Sequence, residues 1–177
     1  MKCGELQFQK RVEKWNLTAT YGLVITDGDV TGDLYGYRET VNHSMYAQID
    51  KKFFNRLNIS AGWRKEKFKF IYSEEEKKPV YRTGMNLRLH KATFLRASYG
   101  QGYRFPAIAE KYIKTQVGTI VIYPNDSIHS ETGWTAEAGI RQLFKIGEKF
   151  SGYADACIFR SEYHDMMEFA FGRYGNF

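Results

Sequence analysis

Apolar and polar residues alternate one for one through five separate stretches of this 177-residue sequence, and no other feature narrows its possible folds so far. Trp15, Leu17, Ala19, Tyr21 and Leu23 fall on one side, with Asn16, Thr18, Thr20 and Gly22 between them. Leu57, Ile59, Ala61 and Trp63 alternate with Asn58, Ser60, Gly62 and Arg64. Tyr81, Thr83, Met85, Leu87 and Leu89 alternate with Arg82, Gly84, Asn86 and Arg88. Leu95, Ala97 and Tyr99 oppose Arg96, Ser98 and Gly100, and Trp134, Ala136, Ala138 and Ile140 oppose Thr135, Glu137, Gly139 and Arg141. A period of two belongs to strands, whose successive side chains leave on opposite faces. Met45, Ala47 and Ile49 suggest one more strand and Leu6–Gln9 a partial first one. The fold class is therefore all-β, an antiparallel meander of about seven or eight strands. In Phe150–Tyr163 both parities carry apolar residues, which leaves that strand's orientation open.

The connections alternate as regularly as the strands. Short links fall near Lys51–Arg56, His90–Ala92 and Leu143–Glu148, and long polar ones near Thr26–Asn42, Ile71–Pro79 and Arg104–Thr132. Short turns at one end and long loops at the other are expected of an outer-membrane barrel, whose short turns are periplasmic. A soluble β-sandwich has no physical reason to segregate its loops in this way.

Composition bounds the remaining classes. The longest apolar run, Thr119–Tyr123, is far below the ~18 residues of a membrane helix. Barrel strands average to a polar score and escape that test. Thirteen Tyr, thirteen Phe and three Trp favour strands and are the material of interfacial girdles. The net charge of +6 is spread along the chain and interrupted by Glu74-Glu75-Glu76, and no nucleic-acid-binding signature accompanies it. Cys3 and Cys157 form no C-x-x-C pair, and His43, His90, His129 and His164 lack metal-ligand spacing, so neither a metal nor a cofactor is expected. Tyr163-His164-Asp165 cannot act as a catalytic unit on a strand, because adjacent side chains point apart. No G-x-S-x-G, H-E-x-x-H or phosphate-binding loop occurs, and no enzyme is expected. Met1-Lys2-Cys3-Gly4 is not a signal peptide, so an exported protein would need a segment ahead of it.

Two motifs carry more specific information. Ala97–Tyr112 reads Ala-Ser-Tyr-Gly-Gln-Gly-Tyr-Arg-Phe-Pro-Ala-Ile-Ala-Glu-Lys-Tyr: an alternating strand, two glycines on its polar side, then Arg104-Phe105-Pro106. Pro106 cannot donate to a ladder, so regular pairing should stop there, and Arg104 shares the parity of Gly100 and Gly102. Tyr123–Trp134 then leads through Asn125, Ile128 and Glu131 into the next alternation. Together they resemble the barrel domain of TonB-dependent outer-membrane receptors. That family's strand pattern runs S-Y-G-x-G-F/Y-R-x-P-x-x-x-E-x-Y, and its following segment N-x-x-L-x-P-E. Tyr99, Gly100, Gly102, Arg104, Pro106, Glu110, Tyr112, Asn125 and Glu131 carry the match; Ser130 stands where the family has Pro. Glu137 and Gly139 continue it, and Phe159, Tyr163, Asp165 and Met167 resemble a later strand.

The resemblance implies a segment of a 22-stranded barrel filled by a plug. Residues 1–177 would be partial barrel, an open curved sheet in isolation, with the plug and other strands elsewhere. It implies a receptor in the cell outer membrane for a scarce nutrient such as a ferric siderophore or cobalamin. Its partners would be outer-membrane lipid, a small-molecule nutrient and, through the plug, a TonB complex. Arg88, Arg96, Arg104, Glu137 and Arg141 are expected to face the lumen or plug, with Arg96 or Arg141 partnering Glu137. Tyr35, Tyr37, Arg38, Tyr112 and Tyr123 are the candidates for ligand contact in the long loops. Two other readings stay open: a small closed barrel or porin, which would pair its first and last strands, and a soluble β-rich domain, which would bury Trp15, Trp63 and Trp134. The last residues, Gly-Arg-Tyr-Gly-Asn-Phe177, lack alternation and are expected to be loop.

Overall fold

The computed structural model describes residues 1–70, 75–170 and 172–177. Ten strands follow one another along the chain, β1 (Lys2–Val12), β2 (Leu17–Gly32), β3 (Gly36–Phe53), β4 (Leu57–Phe70), β5 (Glu76–Arg88), β6 (Thr93–Arg104), β7 (Thr115–Val117), β8 (Ile120–Ile122), β9 (Glu131–Ile146) and β10 (Phe150–His164). A short helix, α1 (Ile108–Tyr112), precedes β7, and a terminal hairpin, β11 (Met167–Ala170) and β12 (Arg173–Asn176), follows β10. Eight of these strands form one antiparallel sheet in the order β1-β2-β3-β4-β5-β6-β9-β10. It is an open sheet. A closed eight-stranded barrel would join β1 to β10, whereas both stand at edges of the order.

Register shows that the alternation is one continuous device across the sheet. Ala47 pairs with Trp63, Trp63 with Tyr81, and Thr83 with Tyr99, which pairs in turn with Ala136. Directly opposite residues share a face, so one face carries the apolar set and the other the polar set. The apolar face is the uncovered one: Tyr21, Leu23, Ile25, Ile49 and Tyr81 are each at least half exposed. The tryptophans of that face are not packed between two sheets; the described strands of the main body form a single layer. Trp63, Tyr81, Tyr99 and Trp134 head the apolar set on four neighbouring strands, forming an aromatic border at the end with the long connections.

Burial is found on the polar side of that same end. Among the described residues the buried apolar side chains are Phe70, Val80, Ile128 and Met167, and the buried polar ones Ser44, Glu66, Lys111 and Ser130. The segment between β6 and β9 folds over the tops of β2 to β5 there. Phe105 stacks on Phe68 at 4.4 Å, Tyr112 meets Phe70 edge-on at 5.3 Å, and the Lys114 backbone N–H donates to the Leu34 carbonyl at 2.8 Å.

Several sequence expectations need correction. Thr26–Asn42 is mostly ladder, paired from Thr26↔Asn42 to Gly32↔Gly36, with only residues 33–35 as turn. Both faces there carry polar residues, so the pattern hides a strand whose register is carried by its backbone ladder. Of Ile71–Pro79, Glu76–Pro79 belongs to β5, and residues 71–74 lie outside the described residues. Trp15 sits in a single 3-10 turn, Glu13–Trp15, closed by Asn16 at φ 46°, so strand alternation starts at Leu17; Leu89 lies past the end of β5. Arg173–Asn176, expected as loop, pairs with β11. The orientation of β10 is settled by register: Ile158 joins Ala138 on the apolar face and Asp155 joins Arg141 on the polar one. Tyr153, Phe159 and Tyr163 therefore stand on the polar face.

The neighbours Ala97 and Ser98 should respond oppositely to the same substitution. In lipid vesicles, the setting the family resemblance implies, Ala97→Arg is expected to cost about 2–4 kcal/mol in a urea titration. Ser98→Arg should stay within about 0.5 kcal/mol of the parent. Equal losses at both positions would contradict the assignment of faces.

Candidate polar face and rim

On the polar face, side chains meet across three strands at mid-sheet. Arg96 on β6 sends Nε to Glu137 Oε1 at 3.1 Å and Nη1 to Asp155 Oδ2 at 2.8 Å. Arg141 reaches the same Asp155 oxygen with Nε at 2.8 Å and Nη2 at 2.6 Å. Gly139 lies beneath: a Cβ there would stand 3.0 Å from Arg96 Nε and 3.2 Å from its Cζ. The missing side chain is what lets the guanidinium lie flat across β9. Arg96 is thus the partner of Glu137, while Arg141 goes to Asp155. Asp155 was not singled out in the sequence; the available signal was its isolated carboxylate in Ala-Asp-Ala, which hairpin pairing sets directly opposite Arg141. Arg88 stands apart at the short-turn end, 3.5 Å from the Asn55 carbonyl oxygen.

A second set occupies the end with the long connections. Arg104 and Glu131 are cross-strand partners, joined by two parallel bonds at 2.9 and 2.8 Å. This fork geometry suits arginine and not lysine. Arg104 Nη1 also lies 2.8 Å from both oxygens of Glu110. Glu110 in turn accepts the Ala107 backbone N–H at 2.7 Å, capping a helix whose N-cap alanine has no oxygen to offer. Glu131 accepts the Met167 backbone N–H at 2.6 Å. One arginine therefore joins β6, α1, β9 and the start of β11. Pro106 is buried at the departure of the chain from β6, where no ladder donor is needed.

β5 and β6 cease pairing above Arg82↔Gly100, and the Tyr81 N–H turns to the Gln101 side-chain oxygen at 3.2 Å. Above that point strict parity fails. Tyr103, in phase with Tyr99, nevertheless donates its hydroxyl to Glu66 on β4. Glu66 also accepts from Asn42 and from Arg64, the latter at 3.0 Å, and is only 6% exposed. Sequence reading missed this cluster, because Lys-Glu-Lys-Phe-Lys-Phe reads as a solvated charge run. Ser130 is fully buried, and both its N–H and its hydroxyl donate to Glu76 on β5. A proline at this position would have neither donor. Asn125 forms a side-chain turn, with its Oδ1 accepting the Ser127 N–H at 3.1 Å, and its Nδ2 donates to the Tyr174 carbonyl at 2.8 Å.

Of the five loop residues expected to meet a ligand, two come together: the Arg38 guanidinium lies over the Tyr112 ring, 4.4 Å from its centroid. Tyr35 lies across Gly32, where a Cβ would stand 2.8 Å from its ring. Tyr37 points to the other face and donates to Glu39, a bond that raises its phenol above the ordinary range. Tyr123 is 58% exposed beyond β8. Tyr99 likewise belongs to the apolar face, its ring 6.0 Å from that of Trp134.

A family profile described as TonB dependent receptor-like, beta-barrel, matches residues 5–177. The chain belongs to this family. Its fold resembles solved receptors. Against the hemophore receptor HasR of Serratia marcescens, a double mutant in complex with its hemophore HasA and heme, the TM-score is 0.79 at 14% identity. That match covers 97% of this chain and 36% of HasR. Against the copper transporter OprC the TM-score is 0.68 at 15% identity, covering 98% of this chain and 32% of OprC. No curated protein matches the sequence. This receptor barrel segment thus spans about a third of the length of the solved chains it resembles.

Substitutions at two positions test the rim. Arg104→Ala should loosen the 105–130 connection, with a stability loss of about 1–2 kcal/mol for half-exposed charged bonds and faster protease cleavage within it. Arg104→Lys should not restore protection. Ser130→Pro, although it installs the residue of the family pattern, should cost about 2 kcal/mol of unfolding free energy in a urea titration, more than Ser130→Ala. A neutral or stabilising Ser130→Pro would contradict the role given to its N–H.

Proposed function

We propose that this chain is wall and rim of an outer-membrane receptor importing a scarce nutrient of the ferric-siderophore or cobalamin class. Residues 1–177 are barrel, and the plug and remaining strands lie elsewhere in the receptor. A TonB complex supplies energy by acting on that plug, and the chain itself catalyses no reaction. The observation that carries this reading is the inversion of the sheet: its apolar face is uncovered, while its polar face bears ion pairs and the folded-over rim. In water that arrangement would expose a wide apolar surface; in lipid it is the expected one.

In this reading Arg88, Arg96, Arg104, Glu137 and Arg141 face the lumen. Arg96 and Arg141 are partly balanced by Glu137 and Asp155, so the mid-sheet network presents hydrogen-bonding capacity without a strong net field. Arg104, held by two carboxylates, acts mainly to hold the rim against the wall. Ligand contact falls to Tyr35, Arg38, Tyr112 and Tyr123, with Tyr37 dropped because it stands on the outward face, and the Arg38–Tyr112 pair is the strongest candidate for an anionic, aromatic-bearing chelate. The heme seen with HasR and the copper of OprC support cargo that contains a metal.

The test is uptake by the intact receptor containing this segment, produced in a Gram-negative host stripped of its own siderophore receptors. Uptake of at least one labelled metal chelate should appear, and should disappear in a TonB-deficient host. Uptake that is equal with and without TonB would point to a passive porin and overturn the reading.

A further inference from the structure

Beyond the aromatic border on the apolar face, the chain places four lysines where a barrel meets lipid headgroups. Lys65, Lys67 and Lys69 on β4 share the parity of Trp63, and Lys77 on β5 shares that of Tyr81. Lys67 and Lys77 are directly opposite each other, with His43 of β3 on the other flank of Lys67. Like charges facing across a ladder destabilise it unless an anion lies between them. Glu75 partly fills that role, 3.0 Å from Lys77 Nζ and 3.7 Å from Lys67 Nζ. Lys65 and Lys69 have no partner among the described residues.

The acids of the same two strands do not help. Glu66 and Glu76 turn to the polar face, where Arg64, Tyr103 and Ser130 hold them. The other acids of the outward face stand away from this hairpin, Asp27, Asp29 and Glu39 on β2 and β3 and Glu162 on β10, with Asp27 separated from Lys69 by Val41. The outward face of the β4–β5 hairpin is thus a run of cations continuous with a lipid-facing apolar belt and immediately above its Trp63–Tyr81 border. Lysine stems can lie along apolar surface while their ammonium groups sit at headgroup depth. Clustered lysines in that setting select anionic lipid, and lysine binds phosphate as a compact point charge.

We propose that Lys65, Lys67, Lys69 and Lys77 form a binding site for the phosphate groups of an anionic lipid in the outer leaflet. The proposal rests on the membrane reading above, which sets the long-connection end outward. A bound lipid phosphate offsets the Lys67–Lys77 repulsion and gives Lys65 and Lys69 partners, pinning the β4–β5 hairpin at the membrane surface.

The probe is phosphatidic acid, titrated into the intact receptor in neutral detergent and followed by native mass spectrometry. Parent protein should retain phosphatidic acid in preference to phosphatidylcholine, and inorganic phosphate at equal concentration should not displace it. The combined Lys65→Gln, Lys67→Gln, Lys69→Gln and Lys77→Gln protein should bind at least about tenfold more weakly. The milder Lys65→Gln, Lys69→Gln pair should give an intermediate loss. Lys145→Gln with Lys149→Gln, at the short-turn end, should change nothing. Unchanged binding in the fourfold variant, or displacement by inorganic phosphate, would overturn the proposal. TonB-dependent uptake should survive all these changes; a protein that binds the lipid but shows no such uptake would refute the transport reading and leave the lipid site standing.

Discussion

The edge-to-edge ladder of β1 through β6, β9 and β10 is the constraint on which everything else rests, because it ties the phase of each strand to that of its neighbour. A one-residue slip anywhere would exchange faces. Leu95, for example, is locked to Leu87 on one side and Ile140 on the other. Shifting β6 alone would set Arg96 among leucines and Leu95 among arginines. The ladder also pairs the backbone donors and acceptors of the inner strands, which are costly to leave unmet. Side-chain identity then has only to choose which face is wet.

On the wet face the charges are organised by geometry more than by number. Asp155 takes bonds from two arginines, and Gly139 clears the space for one of them. At the rim, Arg104 draws two carboxylates from different elements, and Glu76 and Glu66 each receive several donors. A buried carboxylate without partners would be costly, so these clusters fix where the β6–β9 connection lies. The result is a sheet with a folded segment set across its upper polar side, which brings Arg38 and Tyr112 together although they are far apart in the chain.

How much of this could be read from the sequence depended on whether a face had to be hidden. Strands with one apolar and one polar face, such as Tyr81–Leu87 and Leu95–Tyr99, declared themselves by parity. Thr26–Asn42 did not, since both of its faces carry polar residues and the ladder leaves no pattern. Arg104, Glu110 and Glu131 were legible as a family motif, but the convergence of all three required the turn at Phe105-Pro106 and the helix after it. The Glu66 cluster was illegible for another reason. Tyr103 departs from its parity where β5 and β6 separate, and nothing local in Gln-Gly-Tyr-Arg marks that departure. Ser130 looked like a lost proline; its environment makes it a gained donor.

The central claim is that the apolar face meets lipid and the polar face meets water, and β6 tests it most directly. With Cys3 and Cys157, both free and exposed, replaced by serine, spin labels can be placed singly from Leu95 to Gly100 in the intact receptor in vesicles. Collision with dissolved oxygen should be high at Leu95, Ala97 and Tyr99, and collision with a water-soluble nickel chelate high at Arg96, Ser98 and Gly100. An absence of two-residue periodicity, or the opposite phase, would contradict the account.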